Sequence, residues 1–370
     1  MGRLGPAFGQ VVPYLKHDHR EIVRHYGPDR GARIIDAVAA GPARVAALIE
    51  RLGIACDLRR TGLIFGAHTP AGARTLEARA TYWRDRGAPV EMLDAAASRA
   101  MIGSEAYDAA LLDHRGIHLN PLAYTRGLAL AAAAQGARIV SDAQVRALRR
   151  EGGRWVLTVG AHTVEAEAVI LATNAYTDGL WPHLATSIVP LRGHGVVSAP
   201  LSDNLRRSIL PGGQALTDTR RLFSGVRILP DGRLHASLDG PALGPEAGPN
   251  LAKVEARLAR LFPHLVQIRW DEAWSGFVAM TPDHFPRAHV LGPGLFAGLG
   301  YSGRGIAAAT MVGAELAARV RGVAETELVF PATPPRPIAL HRFAAVPLQA
   351  VMAWSRLRDA MDDRRAGGTG

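Results

Sequence analysis

Gly298, Gly300 and Gly303 lie in the stretch GLGYSGRGIAAATMVGAELAAR and satisfy the spacing G-x-G-x-x-G. Glycines at that spacing let a chain turn sharply and bring backbone N–H groups against a phosphate at a helix N-terminus. The apolar run Leu295, Phe296, Ala297 reads as a short strand and 306–320 as a helix, so strand, turn and helix come in the required order. A dinucleotide site also needs a second strand that ends in an acid about 20 residues on. Here Glu325 and Glu327 precede the apolar run 328–330, and Pro331, Pro334 and Pro335 follow at once. A nicotinamide-dependent dehydrogenase built on this loop therefore lacks its ribose acid, and the loop is expected to serve another end.

Other chemistry is excluded by residue type. The 14 histidines show no ligand spacing such as H-E-x-x-H, and a lone Cys56 can form neither an internal disulfide nor a cysteine cluster, so no metal site is expected. No Ser-His-Asp or paired-carboxylate constellation stands out.

The elements that must position the glycine loop follow from periodicity. Residues 20–52 carry two amphipathic helix patterns, and 56–107 alternate strand and helix, with TGLIFGAH and EMLD as strands and 71–86 as a helix. Asn120-Pro121 opens a helix ending near Gly136. Strands are expected at 137–140 and 145–148, then an antiparallel pair at 155–159 and 164–166. AVILATNAYT reads as a strand buried on both faces. From 188 to 279 short strands alternate with Gly, Pro and Asp turns, including a hairpin at Asp231-Gly232 and one helix over 251–261. The last stretch, HRFAAVPLQAVMAWSRLRDAMD, reads as an amphipathic helix with Phe343, Leu348, Met352 and Leu357 toward one side. It is followed by a disordered tail, DDRRAGGTG.

The 370 residues, 48% hydrophobic and 21% charged, suit a globular protein of about two domains. Lys+Arg 43 against Asp+Glu 33 gives +10, nearly all from arginine, but the arginines are dispersed without a basic block, so nucleic acid is not an expected partner. No apolar run reaches the roughly 18 residues of a membrane span and no signal-peptide core opens the chain, so a cytoplasmic location is expected.

Four segments in order, GQVVPYLKHD, VILATNAYT, WSGFVAMTPDHFPRA and GLGYSGRGIAAATMVG, resemble the D-amino-acid oxidase, glycine oxidase and sarcosine oxidase superfamily of FAD-dependent amine oxidoreductases. The likeness is closest to the branch related to gamma-glutamylputrescine oxidoreductase. It implies a flavin domain of α/β type with a mostly antiparallel α+β substrate domain. The segments fall as a flavin-domain remnant over 1–54, substrate parts over 55–115 and 191–285, flavin parts over 116–190 and 286–325, and a C-terminal helix and tail over 326–370.

The resemblance implies that the late glycine loop lies against the isoalloxazine end of FAD, with the following helix aimed at the flavin pyrimidine ring. A helix N-terminus with free N–H groups stabilises the negative charge of a reduced flavin, and small residues let the backbone approach a flat ring. Gly300, Tyr301, Ser302, Gly303, Arg304 and Gly305 become flavin contacts, with Tyr301 and Arg304 the candidate catalytic residues. Gly9, Gln10 and Val11 would sit near the ring or ribityl chain, Val145 near the adenosine, and Ala172, Thr173 and Asn174 near the nucleotide. The implied reaction passes hydride from an amine-bearing carbon of an amine or amino acid to flavin N5, leaving an imine that water hydrolyses. Oxygen or an unknown carrier would then reoxidise the flavin.

Arg221 and Arg227 flank the strand LFSGVRI and are candidates for a substrate carboxylate, while Trp274 and His284 are candidates for the pocket wall and the flavin edge. Solvated and core roles respectively stand beside these readings. The family's N-terminal βαβ unit for the pyrophosphate would precede Met1. The expectation is either a longer working protein or a truncated, non-catalytic remnant that binds no FAD and acts as an interaction module.

Overall fold

The computed structural model describes residues 7–222, 224–243 and 248–367. Expectations touching residues 1–6, Phe223 and 368–370 lie outside the described residues at those positions.

The largest sheet has eight strands in the order Trp270–Met280, Val189–Pro200, Arg233–Asp239, Ser224–Ile228, Ala215–Asp218, Leu63–Gly66, Ala110–Asp113 and Val90–Leu93. Its pairings are antiparallel except where Ala215–Asp218 runs parallel to Leu63–Gly66. The Asp231-Gly232 hairpin forms as expected, with Gly232 at φ 82° and Leu229 N donating to Arg233 O. Alternation along these strands sorts side chains by face. Val196, Val226, Leu234, Ala236 and Leu238 form an apolar face covered by Val254, Leu258 and Leu261 of the helix Leu251–Leu261. The registers put Gly195, Gly225, Arg227, His235, Ser237 and Trp274 on the opposite face. A face of glycines and polar groups leaves depth for something other than a packed core.

A second sheet of four strands, in the order Ala332–Thr333, Arg287–Gly292, Leu295–Leu299 and Val169–Leu171, carries the glycine loop at the end of Leu295–Leu299. The helix Gly305–Val320 packs back on it through Met311, Val312 and Leu316. Among the described residues Val169–Leu171 pairs with Leu295–Leu299 alone, as an edge strand, not one buried on both faces as expected; Ile170 is 39% exposed. The expected strand 137–140 does not form, and Ile139 and Val140 are exposed. A strand needs a neighbour to satisfy its backbone, and among the described residues none lies beside this segment.

The meander Val145–Glu151, Arg154–Val159 and His162–Ala166 forms a separate sheet. The helix starts carry their own signals: Asp18 and Glu21 make a reciprocal capping box, and Asn120 and Asn250 accept backbone N–H bonds from the first turns of Pro121–Ala134 and Leu251–Leu261.

The C-terminal helix runs from Ala345 to Gly367, through most of the stretch expected to be disordered. Arg220 and Arg260 bind Asp363, and Arg221 binds Asp359 and Asp362, which fixes its last turns. Met352 faces inward while Phe343 and Leu357 are exposed, so the four apolar residues expected on one side divide between two.

Candidate functional site

The glycine loop is held by backbone conformations that few residues adopt. Gly300 has φ 77° and Gly303 φ 85°, and a Cβ on Gly300 would meet Thr281 Cγ2 at 2.4 Å. Ser302, also at positive φ, is buried, and its N–H donates to Ala279 O. Gly300 N donates to Asn174 Oδ1 at 3.1 Å, which ties the loop to the segment after Val169–Leu171. Gly298 plays no part in the turn. It sits in the strand against Val312 and Leu316, so it serves strand-to-helix packing and not a phosphate.

Arg304 stands at the N-cap of Gly305–Val320, and no side chain caps that helix. Its first N–H groups are left for another acceptor. Val11 shares a buried cluster with Ile306 and Ala307 of the same helix, which sets Gly9–Val11 beside its first turn. Gln10 Nε2 and Arg304 Nε are buried without a partner. Ala172 and Thr173 are exposed beside Asn174, whereas Val145 opens the meander, paired with Val159.

Arg227 is buried on the polar face of the large sheet. Its guanidinium donates to Leu119 O at 3.0 Å, to His118 Nδ1 at 3.3 Å and from Nε to His235 Nδ1 at 3.4 Å, all neutral acceptors. Burial pulls its pKa down to about 10. A Cβ on Gly9 would approach Arg227 Nη2 at 2.8 Å, so this arginine adjoins the loop expected near the flavin. Phe8 and Trp274 flank His235 at ring-centroid distances of 4.8 and 5.2 Å, and Trp274 lies over Gly195. His118 and His235 were not among the sequence candidates. The Asp231-Gly232 turn held the signal, because it sets Arg227 opposite His235 across the hairpin.

Arg221 is exposed and ion-paired with Asp359 and Asp362. His284, at φ 59°, lies 6.5 Å from the His17 ring, and burial, then Lys16 and His17, lower its pKa. Asp283 caps its own loop by accepting from Phe285 N and binding Arg287.

Sequence reading also missed a cationic region on the far side of Arg304. A cavity of about 440 Å³ is lined in part by Tyr14, His17, Arg74, Arg79, Tyr82 and Trp83. Arg79 lies 4.9 Å from the Tyr14 ring centroid, and Tyr14 O–H donates to the buried Asp113, which also binds Arg115. Burial lowers the pKa of Arg304 to about 10, with Arg79 adding to the effect. Lys16 falls to about 8 through desolvation first and Arg304 second. The arrangement can bind anions.

A family model described as FAD dependent oxidoreductase (DAO) matches residues 5–319. Gamma-glutamylputrescine oxidoreductase of Escherichia coli (strain K12) is 30% identical over 364 residues, covering 97% of this chain and 85% of that protein. Glycine oxidase of Geobacillus kaustophilus (strain HTA426) is 28% identical over 285 residues, 74% of this chain and 72% of that one. The solved structure of glycine oxidase from Geobacillus kaustophilus superposes with a TM-score of 0.72 at 24% identity, covering 85% of this chain and 84% of that one. Iminodiacetate oxidase from Chelativorans sp. BNC1 gives 0.71 at 18% identity, with 89% of each chain covered.

Proposed function

The chain belongs to the DAO family of FAD-dependent oxidoreductases, and from that premise we propose that it oxidises the C–N bond of an amine that also carries a carboxylate. The residues present fit the flavin end of FAD. A glycine loop with no room for a Cβ at Gly300, an uncapped helix N-terminus and the unpartnered Gln10 Nε2 and Arg304 Nε together offer donors to a flat anionic ring. When bound, FAD supplies the acceptor for the hydride that leaves the carbon beside nitrogen.

Gly300–Gly305 and Gly9–Val11 would hold the ring end. Arg304, at the helix N-terminus, is the candidate catalytic group; Tyr301 packs against the core with its hydroxyl beside Gly298, Val312 and Leu316, and burial raises its pKa, so it keeps its proton and serves the loop's packing. Among the described residues no second strand, glycine loop and helix unit stands ready for the pyrophosphate.

One observation carries the substrate class: Arg227 is buried beside Gly9 with only neutral hydrogen-bond partners. A buried guanidinium gains most from a carboxylate, to which it can bond in bidentate fashion. Trp274 and Phe8 exclude water around it. Arg227, Lys16 and Arg304 also disfavour a protonated substrate amine, so the reactive neutral amine forms without a dedicated base. Oxygen or another carrier would take the electrons onward.

The test is to add FAD, desalt, and titrate the protein anaerobically with paired amines that differ only in a carboxylate. Arg227→Met should weaken reduction by the carboxylate-bearing member by about 10- to 100-fold, the worth of a charged hydrogen bond. Equal losses for both members would remove Arg227 from substrate binding.

A further inference from the structure

The helix Ala345–Gly367 packs on the protein through its polar side. At 100° per residue, Gln349, Met352, Ser355, Arg356, Asp359, Asp362 and Asp363 share one face, and that face packs on the protein. Its partners are polar: Gln349 accepts from Ala242 N, Arg356 binds Asp239, and the three aspartates bind Arg220, Arg221 and Arg260. The opposite face is open and carries apolar side chains with Arg358 among them. Val346, Val351, Trp354, Leu357 and Met361 lie along it, and Leu340 and Phe343 extend the stripe past the helix start. Val351 is 60% and Trp354 58% exposed.

Burial normally drives the apolar side of a helix inward, because apolar area left in water forgoes about 25 cal/mol per Å². Here ion pairs fix the polar side to the protein and hold the apolar side outward. An exposed stripe of this extent marks an interaction surface.

We propose that this face docks on an anionic lipid bilayer surface. The charges single out that occupant. All three acids of the helix up to Asp363 are turned inward and paired, so the described charges on the open side are arginines. Arg342 and Arg358 lie 4.7 and 5.9 Å from the exposed rings of Phe343 and Trp354. Aromatic and aliphatic side chains flanked by arginine, on a chain of net charge +10, match the requirements of a helix lying in a headgroup layer. No described helix is long and apolar enough to cross a membrane, so the contact lies along the surface.

The experiment is co-sedimentation of the full chain with vesicles of phosphatidylcholine alone, and with vesicles containing about one third phosphatidylglycerol, at low and high salt. Binding is expected to the anionic vesicles and to weaken with salt. The double variant Trp354→Ser, Leu357→Ser should lose binding by at least about tenfold with its thermal transition unchanged, as should Arg342→Glu, Arg358→Glu. These side chains are exposed, so neither variant threatens the fold. Absence of vesicle binding by the parent protein overturns the proposal. So does a dimer in analytical ultracentrifugation that Trp354→Ser, Leu357→Ser converts to monomer, since the stripe would then be covered by a second copy.

Discussion

Asn174 and Gly300, 126 residues apart, are joined by a hydrogen bond in which the glycine N–H donates to the amide oxygen at 3.1 Å. It fixes the glycine loop to the end of the edge strand; Gly300 at φ 77° adopts a conformation open to glycine, whereas Asn174 at φ 46° carries the backbone strain. The strain persists only where surrounding contacts over-determine it.

Asn174→Ala removes the acceptor and leaves a partly buried N–H unmatched, at a cost of about 1–3 kcal/mol. FAD retained after desalting should fall and its dissociation constant should rise by about tenfold or more. Asn174→Asp, which keeps the acceptor, should recover most of the affinity; fluorescence titration of the flavin reads both.

His118 predicts how the fold responds to acid. Its Nδ1 accepts from Arg227 and its Nε2 lies 2.9 Å from Gly213 O, so a second ring proton would face a guanidinium. Burial first and Arg227 second lower its pKa to about 4. Between pH 6.5 and about 4 the unfolded chain takes up a proton that the folded chain refuses, so stability falls with pH through that window by on the order of 2–3 kcal/mol. His118→Gln should lose less thermal stability than the parent between pH 7 and 4.5. An equal loss in both would show that other groups govern acid sensitivity.

Asp218 is the buried acid between Arg220, Arg257 and Tyr107, and those arginines hold its carboxyl below the usual range against the effect of burial. Asp218→Asn leaves Arg257 without a carboxylate partner, while Arg220 keeps Asp363, and should cost about 3 kcal/mol, visible as a lower denaturant midpoint. A shift under 1 kcal/mol would mean that water reaches the site and screens it.

Local signals in the sequence foretold local structure. Asn120-Pro121 starts a helix because its side chain accepts from the first turn, and Asp231-Gly232 makes a hairpin because glycine adopts the required φ. The loop with Gly300 and Gly303 was legible for the same reason. Arg221 was not, because its partners Asp359 and Asp362 lie about 140 residues away and nothing near it foretells them. Arg79 escaped notice because its meaning depends on a cavity assembled from separate elements, and Lys16 because its burial and its nearness to Arg304, far along the chain, are not local. The strand expected at 137–140 shows the converse: apolar β-branched residues suit a strand only where a neighbouring edge receives them.

The parallel pairing of Leu63–Gly66 with Ala215–Asp218 has a consequence for the birth of the molecule. Those strands are about 150 residues apart, so during synthesis the early strands Leu63–Gly66, Val90–Leu93 and Ala110–Asp113 emerge long before their partner. One long edge of Leu63–Gly66 stays open until residue 218 has left the ribosome, and closing such a loop is slow. Folding of this chain is therefore gated late, and a nascent chain stalled before residue 215 should recruit chaperones more strongly than one released after 280.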